Sequence, residues 1–477
     1  MHASVYLTSR AASAVVNAAA VAIFTRITSQ AVYGQYLIGF AIGFVVFSLA
    51  VQWATQAHFG NYVKQGAARL AGSLLVIGGI ATLVALAIIA GLAQFGVLHA
   101  DIAWACAVLI TCFTTFFAAA EIGRTHLLVG VVTVATLTRS AASLLLGAAG
   151  LLYFQSPAAL LIGVGLGYAI GAVPVFLKLG QTIWADGFVW PARRELVLMF
   201  RYGWPLIIAF GASAAAMNID RILLERFSDV TAVAPYGAVL DFMKQTFLVV
   251  AEAISVGYVS YAKNLHTDGD LVGAGGLLKR AFVTQCYLVV FGTVFFVLLG
   301  GPVFSVLLPA SYLPVALQIL PILLAANALL VLRAYHFGQV IYLGVSSTLE
   351  FAASIAMLIV AAGACFVLIP SYGAVGAAVA FTLSQAAALG VYLVATPKRS
   401  RLPVDWPSAG ILAVAGAGLI LIGQAINAGS GHGLAVGLNF ALLTLSSAYF
   451  LIHWNLFDAR AIIERVQARF GPPVSEL

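Results

Sequence analysis

The chain has 477 residues, of which 62% are hydrophobic and only 8% charged, with a formal net charge of +7 and a mean hydropathy of +1.05. Soluble globular domains carry about a quarter charged residues, so this composition excludes that class. The apolar stretches are continuous and do not alternate with polar residues, which predicts membrane-spanning helices and not a barrel.

The predicted elements are about fourteen membrane spans, each near the 20 or so apolar residues that a bilayer core requires. The first six lie near 11–27, 36–58, 71–98, 102–121, 130–154 and 157–178. The next six lie near 202–226, 234–262, 281–308, 314–337, 348–369 and 373–396, and the last pair near 407–427 and 434–455. We interpret the first span as retained and not as a cleaved signal peptide, because many spans follow it.

Lys and Arg are unevenly distributed between the two sides of the predicted membrane. Most of the 23 residues lie in the termini and in alternate connections, while only Arg26 and Arg226 border the opposite connections. This asymmetry predicts a multi-pass membrane protein with both termini in the cytoplasm. Short basic connections suit anionic lipid headgroups, so membrane lipids are expected partners and nucleic acid is not.

Motifs of covalent chemistry do not occur in the sequence. There is no GxxxxGK phosphate-binding loop, and the largest connections, near 179–201 and 263–280, are too short for an ATPase domain. The four cysteines lie in apolar runs without CxxC spacing, and the histidines show no HExxH spacing. The sequence therefore predicts a transporter, with no enzymatic activity, no cofactor and no metal site.

Seven charged residues are predicted at membrane depth, where a side chain that faced lipid would cost several kcal/mol. They must instead face the interior of the helix bundle or an aqueous cavity. The four bases and three acids are Arg139, Arg221, Lys244, Arg333, Asp220, Asp241 and Glu252.

Span eight carries a polar stripe. At 100° per residue, Asp241, Gln245 and Glu252 fall on one face, with Lys244 and Ser255 at its edge. This pattern predicts a helix that lines a polar space, and it makes Asp241 and Glu252 candidates for coupling to an ion gradient. The alternative is that Asp241 and Lys244, three residues apart, pair with each other.

Polar residues in spans one and seven predict a gate, or a polar seam between two lobes. Along span seven, Asn218, Arg221 and Glu225 share a face beside Asp220, and a brace formed by Arg221 with Glu225 or by Asp220 with Arg226 is the structural alternative. The full set of predicted seam residues is Asn17, Arg26, Asn218, Asp220, Arg221 and Glu225.

Arg139 and Arg333 have no acidic residue within four positions. A guanidinium at membrane depth requires an anionic partner, and its planar fork suits a phosphate. We therefore predict that Arg139, Lys244 and Arg333 bind the substrate as cavity cations. The alternative for the two arginines is that their side chains extend to the cytoplasmic face.

Three short segments resemble a known family. TRITSQAVYGQY from Thr25 to Tyr36 resembles the connection between spans one and two of bacterial polysaccharide exporters. Asp220 to Leu223 followed by Tyr236 resembles the matching pattern after span seven, and YGAVGAA from Tyr372 resembles the start of span twelve. With the fourteen-span layout, the chain resembles the O-antigen and exopolysaccharide flippases of the multidrug, oligosaccharidyl-lipid and polysaccharide (MOP) exporter superfamily.

The resemblance implies an all-α polytopic fold with two six-helix lobes in a V, an N-lobe at 1–200 and a C-lobe at 201–400, followed at 401–477 by two added spans and a cytoplasmic tail. It implies that a polyprenyl-pyrophosphate-linked oligosaccharide crosses the inner membrane by alternating access, driven by an ion gradient. A polysaccharide polymerase and a chain-length regulator are the protein partners that such a role implies.

Three other functions stay open. A multidrug or organic-cation antiporter of the same superfamily would need a cavity of net negative charge, whereas four bases face three acids here. A flippase for lipid II, the peptidoglycan precursor, shares the architecture. A membrane glycosyltransferase or ligase acting on polyprenyl-linked sugars would need a large outer loop, and the outer connections are short.

Overall fold

A computed structural model of the chain describes residues 2–62, 67–185, 187–267, 269–343, 348–397 and 400–456. The described residues are helices joined by short connections. Those of the first half are α1 His2–Ile27, α2 Gln30–Phe47, α3 Trp53–Gly60, α4 Ala67–Gln94, α5 Ala100–Thr125, α6 Val129–Phe154, α7 Pro157–Thr182 and α8 Arg193–Ala216. Those of the second half are α9 Ile219–Phe227, α10 Val230–Thr267, α11 Leu271–Leu307, α12 Leu313–Tyr335, α13 Thr348–Ala395, α14 Trp406–Gly429 and α15 His432–His453.

These helices match the fourteen predicted spans. Within the described residues, 11 helical segments are long and apolar enough to cross a membrane, and the apolar part of α1, Ala11–Ile27, is a shorter one. The helix α13 contains two spans, because Gly373 breaks it with φ 52° and ψ −127°, and α10 corresponds to span eight. The predicted all-α polytopic fold is confirmed.

Two spans are irregular in ways that the hydropathy pattern did not predict. Span two continues from α2 into α3 through a π-helical turn at Ser48–Gln52. Span seven breaks after α8, where Met217 and Asn218 form a turn before α9 begins. Breaks of this kind within a membrane bundle place backbone carbonyl groups and polar side chains where a cavity or a polar partner can satisfy them.

The chain divides into two compact units. The first comprises Met1–Val249, Leu307–Leu329 and Val345–Thr396. In it, α7 packs against α5 and α6, α1 packs against α6, and α13 packs against α8 and α9. The contact of α6 with α7 is close because glycines of α7 face the backbone of α6: a Cβ on Gly167 would lie 2.3 Å from the Ser143 nitrogen.

The second unit comprises Val250–Val306, Leu330–Gly344 and Pro397–Leu477. Here α14 and α15 pack against each other, and apolar side chains of α11 form a core with Leu412 and Leu419 of α14. The Tyr287 hydroxyl is hydrogen-bonded to Ser447 of α15. The predicted lobes, 1–200 and 201–400, and the appended segment 401–477 stay a prediction.

Candidate functional site

Two Tyr-Gly pairs, Tyr33-Gly34 and Tyr236-Gly237, lie at one helix contact in the first unit. A Cβ on Gly34 of α2 would lie 2.3 Å from the Val230 carbonyl oxygen at the start of α10, and a Cβ on Gly237 of α10 would lie 2.5 Å from Leu37 of α2. Tyr33 and Tyr236, which precede these glycines, are buried. Glycine is needed at Gly34, because a Cβ there would meet backbone, whereas a Cβ on Gly237 would meet only the end of the Leu37 side chain.

The break in span seven brings Asp220 next to Tyr236. The Tyr236 hydroxyl donates a hydrogen bond of 2.5 Å to one carboxylate oxygen of Asp220, and the backbone N–H of Arg221 donates to the other. Asp220 and Tyr236 are 2% and 0% exposed, so this carboxylate is satisfied by protein groups alone. A buried charge requires such partners.

Arg221 forms an ion pair with Asp241 of α10. The predicted pairs of Arg221 with Glu225 and of Asp220 with Arg226 are therefore wrong, because both assumed partners on the same turns of one helix. The Arg221 side chain is 3% exposed and that of Asp241 is 31% exposed, so the acid is the more accessible member of the pair.

Lys244 does not pair with Asp241, so that alternative is also wrong. Its ammonium group lies 3.4 Å from the Met217 carbonyl oxygen, which the break in span seven leaves available, and 4.6 Å from the centre of the Phe381 ring. Among the described residues, no carboxylate lies within ion-pair distance of Lys244. A carbonyl dipole and an aromatic face hold the cation without neutralising it.

Arg139 lies about 15 Å along α6 from its start. Its guanidinium donates to the hydroxyls of Tyr168, Ser13 and Ser140 at 3.0, 3.2 and 3.0 Å. Its central carbon lies 4.8 Å from the centre of the Tyr168 ring and 5.5 Å from that of Phe116.

Neutral partners thus surround Arg139. In the part of the chain that the structure describes, its Nε has no hydrogen-bond partner and no carboxylate is within ion-pair distance. Hydroxyl groups and aromatic faces orient a guanidinium but leave its positive charge uncompensated. The same side chain could then bind an anion.

The remaining predicted residues are two of the second unit and four of the first. Arg333 is 7% exposed near the end of α12 and, like Glu252 of α10, belongs to the second unit. In the first unit, Asn17 is half-buried on α1, and Arg26 is exposed at its end. The Asn218 amide donates to the Ala214 carbonyl oxygen, near the end of α8, at 2.8 Å. Glu225 is exposed on α9.

Sequence reasoning missed the uncharged members of these clusters. Tyr168 and Phe116 are aromatic residues in apolar spans, where their residue type alone suggests packing. Ser140 follows Arg139 directly and lies on another face of an ideal helix, so spacing did not connect them. Tyr236 was noted only as part of the family-like pattern after span seven, and its distance of 16 residues from Asp220 does not place the two on one helical face.

Sequence comparison finds no protein-family model and no curated protein that matches the chain. Solved structures do match. The lipid II flippase MurJ, in an inward closed conformation, matches with a TM-score of 0.71 and 10% identity over 96% of this chain and 99% of that one. An inward-facing multidrug resistance MATE family transporter of the MOP superfamily matches with a TM-score of 0.59 and 14% identity over 90% of this chain and 100% of that one.

A third match is a MOP superfamily transporter from Pyrococcus furiosus, described by the reverse polarity of its binding pocket. It has a TM-score of 0.54 and 14% identity over 82% of this chain and 93% of that one. Identities this low establish the fold alone. The chain is therefore a multi-pass membrane protein with the fold of MOP superfamily transporters.

Proposed function

We propose that the chain flips a polyprenyl-pyrophosphate-linked oligosaccharide, a precursor of a surface polysaccharide, across the bacterial inner membrane by alternating access. Arg139 and Lys244 of the first unit bind the pyrophosphate during this cycle, and Arg333 of the second unit is a further proposed substrate-binding cation. Asp241 and Glu252 couple the cycle to an ion gradient, and the seam residues of α1, of α9 and of the turn before α9 act as a gate. Among solved structures, the likeness to the lipid II flippase supports a lipid-linked substrate.

The uncompensated charge of Arg139 carries this proposal. A cation at membrane depth persists only where its charge is needed or balanced, and the described neighbours of Arg139 supply hydroxyls and rings but no carboxylate. A pyrophosphate brings the missing negative charge, and a guanidinium binds it in a bidentate manner. Lys244, also without a described acidic partner, supplies a second positive charge in the same unit.

The Arg221–Asp241 pair supports the proposed ion coupling. Asp241 is partly exposed, so an entering proton or Na⁺ can reach its carboxylate. Neutralising Asp241 would remove the partner of a buried guanidinium, which then favours a different position of α9 relative to α10. Loss of the Arg221–Asp241 pair would therefore couple ion binding at Asp241 to a movement of α9, the second part of span seven.

Arg139→Gln tests the proposal. We expect surface glycan to fall by about tenfold or more, because a hydrogen bond to a charged group contributes about 1.5–3 kcal/mol. Arg139→Lys keeps the positive charge but lacks the planar guanidinium that can donate two parallel hydrogen bonds. We expect this variant to export a reduced amount of glycan. Glycan is measured on cells whose own gene is deleted, with the amount of inserted protein determined in parallel.

Arg124→Gln is the matched control, because Arg124 is paired with Glu121 at the end of α5 and its side chain is 41% exposed. We expect normal glycan export from this variant. Normal export from Arg139→Gln at a normal protein level would refute the binding of pyrophosphate by Arg139.

A lipid II flippase is the second candidate, favoured by the structural match over nearly the whole of both chains. The lipid pyrophosphate is common to both substrates, so the Arg139 test does not separate them. Expression of the chain in cells depleted of their lipid II flippase does. We expect no restoration of growth if the natural substrate is a surface-polysaccharide precursor, and growth would assign lipid II.

Two further parts of the proposal concern the surroundings of the protein. Both termini lie in the cytoplasm, as the positions of Lys and Arg predict. A polysaccharide polymerase and a chain-length regulator act on the released precursor at the outer face. The organic-cation antiporter is the less favoured alternative, because unpaired cations such as Arg139 and Lys244 would repel a cationic substrate.

A further inference from the structure

A cavity of about 980 Å³ lies at one end of the first unit, and Arg139, Lys244 and Asp241 do not line it. Its walls are the start of α2, the connection from α4 to α5, the start of α5, and α9. This end of the helices is predicted to face the periplasm. The volume is at the upper limit of ordinary ligand pockets, about 300–1,000 Å³, so it has room for more than one sugar ring.

The connection between α4 and α5 gives the cavity a well-defined wall. Gly96 has φ +71°, and the backbone N–H groups of Val97 and Leu98 donate to the Leu92 carbonyl oxygen at 2.9 and 3.3 Å. This arrangement terminates α4 with a glycine in the left-handed conformation and satisfies its last carbonyl groups. The turn then directs His99 and Asp101 into the cavity.

The opposite wall is α9, which contributes Glu225 and Arg226, and α2 contributes Gln35. All three side chains are exposed, as are those of His99 and Asp101. Within the described part of the chain, none of these five side chains forms a hydrogen bond or an ion pair with another protein group. Their donors and acceptors are therefore available to a ligand.

The chemistry of these five side chains selects the class of ligand. Asp101 and Glu225 only accept hydrogen bonds when ionised, Arg226 only donates, and Gln35 does both. An organic cation would leave Arg226 unmatched, and a phosphate would meet the two carboxylates. A hydroxyl group donates and accepts, so a ligand with several hydroxyls can match every member of the set.

We propose that this outer cavity binds the hydroxyl-rich sugar headgroup of the substrate as it leaves the protein. The inference rests on the proposed function and adds a second subsite to it. Arg139 and Lys244 bind the pyrophosphate at membrane depth, whereas Gln35, His99, Asp101, Glu225 and Arg226 bind the glycan at the outer end. Ile38 and Ile222 form part of an apolar wall between polar groups.

Cysteine labelling tests the cavity directly. The four native cysteines are all buried, so the background reaction with a maleimide is low. Val97 lines the cavity and is 61% exposed, while Phe95 in the same turn is 85% exposed and does not line it. Val97→Cys therefore reports occupancy of the cavity, and Phe95→Cys is its matched control.

The full-length variants are purified into lipid nanodiscs and labelled with three probes present in turn. The probes are undecaprenyl pyrophosphate, the same lipid carrying diacetylchitobiose, and tetraphenylphosphonium. We expect the sugar-bearing lipid to slow labelling of Val97→Cys by about threefold at twice its Kd. The bare lipid and the organic cation leave the rate unchanged, and Phe95→Cys reacts at one rate throughout.

Isosteric variants test whether the protection of Val97→Cys from labelling depends on the carboxylates of Asp101 and Glu225. With Asp101→Asn and Glu225→Gln introduced together into Val97→Cys, the cavity keeps its shape but loses two charged acceptors, and we expect the protection to be largely lost. Direct binding of both lipids to the wild-type chain is measured by native mass spectrometry in parallel.

The outcomes separate this proposal from the proposed function. If both lipids bind but the sugar-bearing one gives no protection, the cavity proposal is overturned and the pyrophosphate site stands. If tetraphenylphosphonium protects Val97→Cys and the sugar-bearing lipid does not, the cavity is a cation site and the proposal is equally overturned. If neither lipid binds the wild-type chain, the proposed function itself is refuted.

Discussion

The charged residues at the junction of α9 and α10 differ in how completely their charges are balanced. Asp220 is satisfied by Tyr236 and by the backbone of Arg221, and Arg221 is balanced by Asp241. Lys244 contacts a carbonyl oxygen and an aromatic ring, and within the described ranges no carboxylate lies within ion-pair distance of it. Because each charge at membrane depth requires compensation, Lys244 is the member of this group whose charge is left for a ligand to balance.

A double-mutant cycle with Arg221→Gln and Asp241→Asn measures how far the stability of the protein depends on the Arg221–Asp241 pair. Removing only Asp241 leaves a buried guanidinium unpaired, whereas removing both partners leaves neutral amides. We expect Asp241→Asn alone to lower the free energy of unfolding by about 2 kcal/mol, less than for a fully buried pair because Asp241 is partly exposed. The double variant should lose less than Asp241→Asn, as measured by denaturant unfolding in micelles.

The Arg124–Glu121 pair provides the control cycle. Its arginine is 41% exposed, so we expect a coupling energy below about 1 kcal/mol. Simple additivity of the Arg221 and Asp241 losses would show that the two groups do not depend on each other in the folded protein.

At the scale of the helices, the sequence predicted the spans because the bilayer sets their length. Span six, predicted near 157–178, corresponds to α7 at Pro157–Thr182, and span fourteen, near 434–455, corresponds to α15 at His432–His453. The break in span seven at Met217 was not predicted. Its apolar and polar residues follow a helical pattern on both sides, and tertiary contacts of α9 with α13 decide where the helix turns.

The close contact of α6 with α7 predicts opposite effects on stability for alanine substitutions at two glycines of α7. A Cβ on Gly167 would lie 2.3 Å from the Ser143 nitrogen, a backbone atom that cannot move alone, while a Cβ on Gly180 meets nothing within 4 Å. We expect Gly167→Ala to destabilise the protein by about 1–3 kcal/mol through overpacking. Gly180→Ala should be neutral or stabilising by up to about 1 kcal/mol.

Thermal unfolding of both purified variants in the same detergent checks this difference. A Gly167→Ala protein as stable as the wild-type chain would contradict the close approach of α6 and α7.

For the whole molecule, composition and spacing predicted the class of fold but only part of the candidate site. Hydropathy measures the preference of each residue for lipid over water and does not depend on the other helices, so the fourteen spans follow from local sequence. Which charged groups meet depends on contacts between helices: Arg221 pairs with Asp241, 20 positions away, and not with Glu225 on the next turn. Arg139 was predicted from its isolation in sequence, but its contacts with Ser13 and Tyr168 required the packed bundle.

The orientation of the whole chain is the prediction on which the outer cavity depends. Lys and Arg on alternate connections place the connection between α7 and α8 in the cytoplasm and that between α9 and α10 in the periplasm. Ala185 and Ser228 are exposed in these two connections, and the native cysteines are buried. A membrane-impermeant maleimide should therefore label Ser228→Cys in intact spheroplasts and Ala185→Cys only after the membrane is opened. The reverse pattern would invert the topology and place the 980 Å³ cavity on the cytoplasmic side, where it could bind a substrate before transport but not on release.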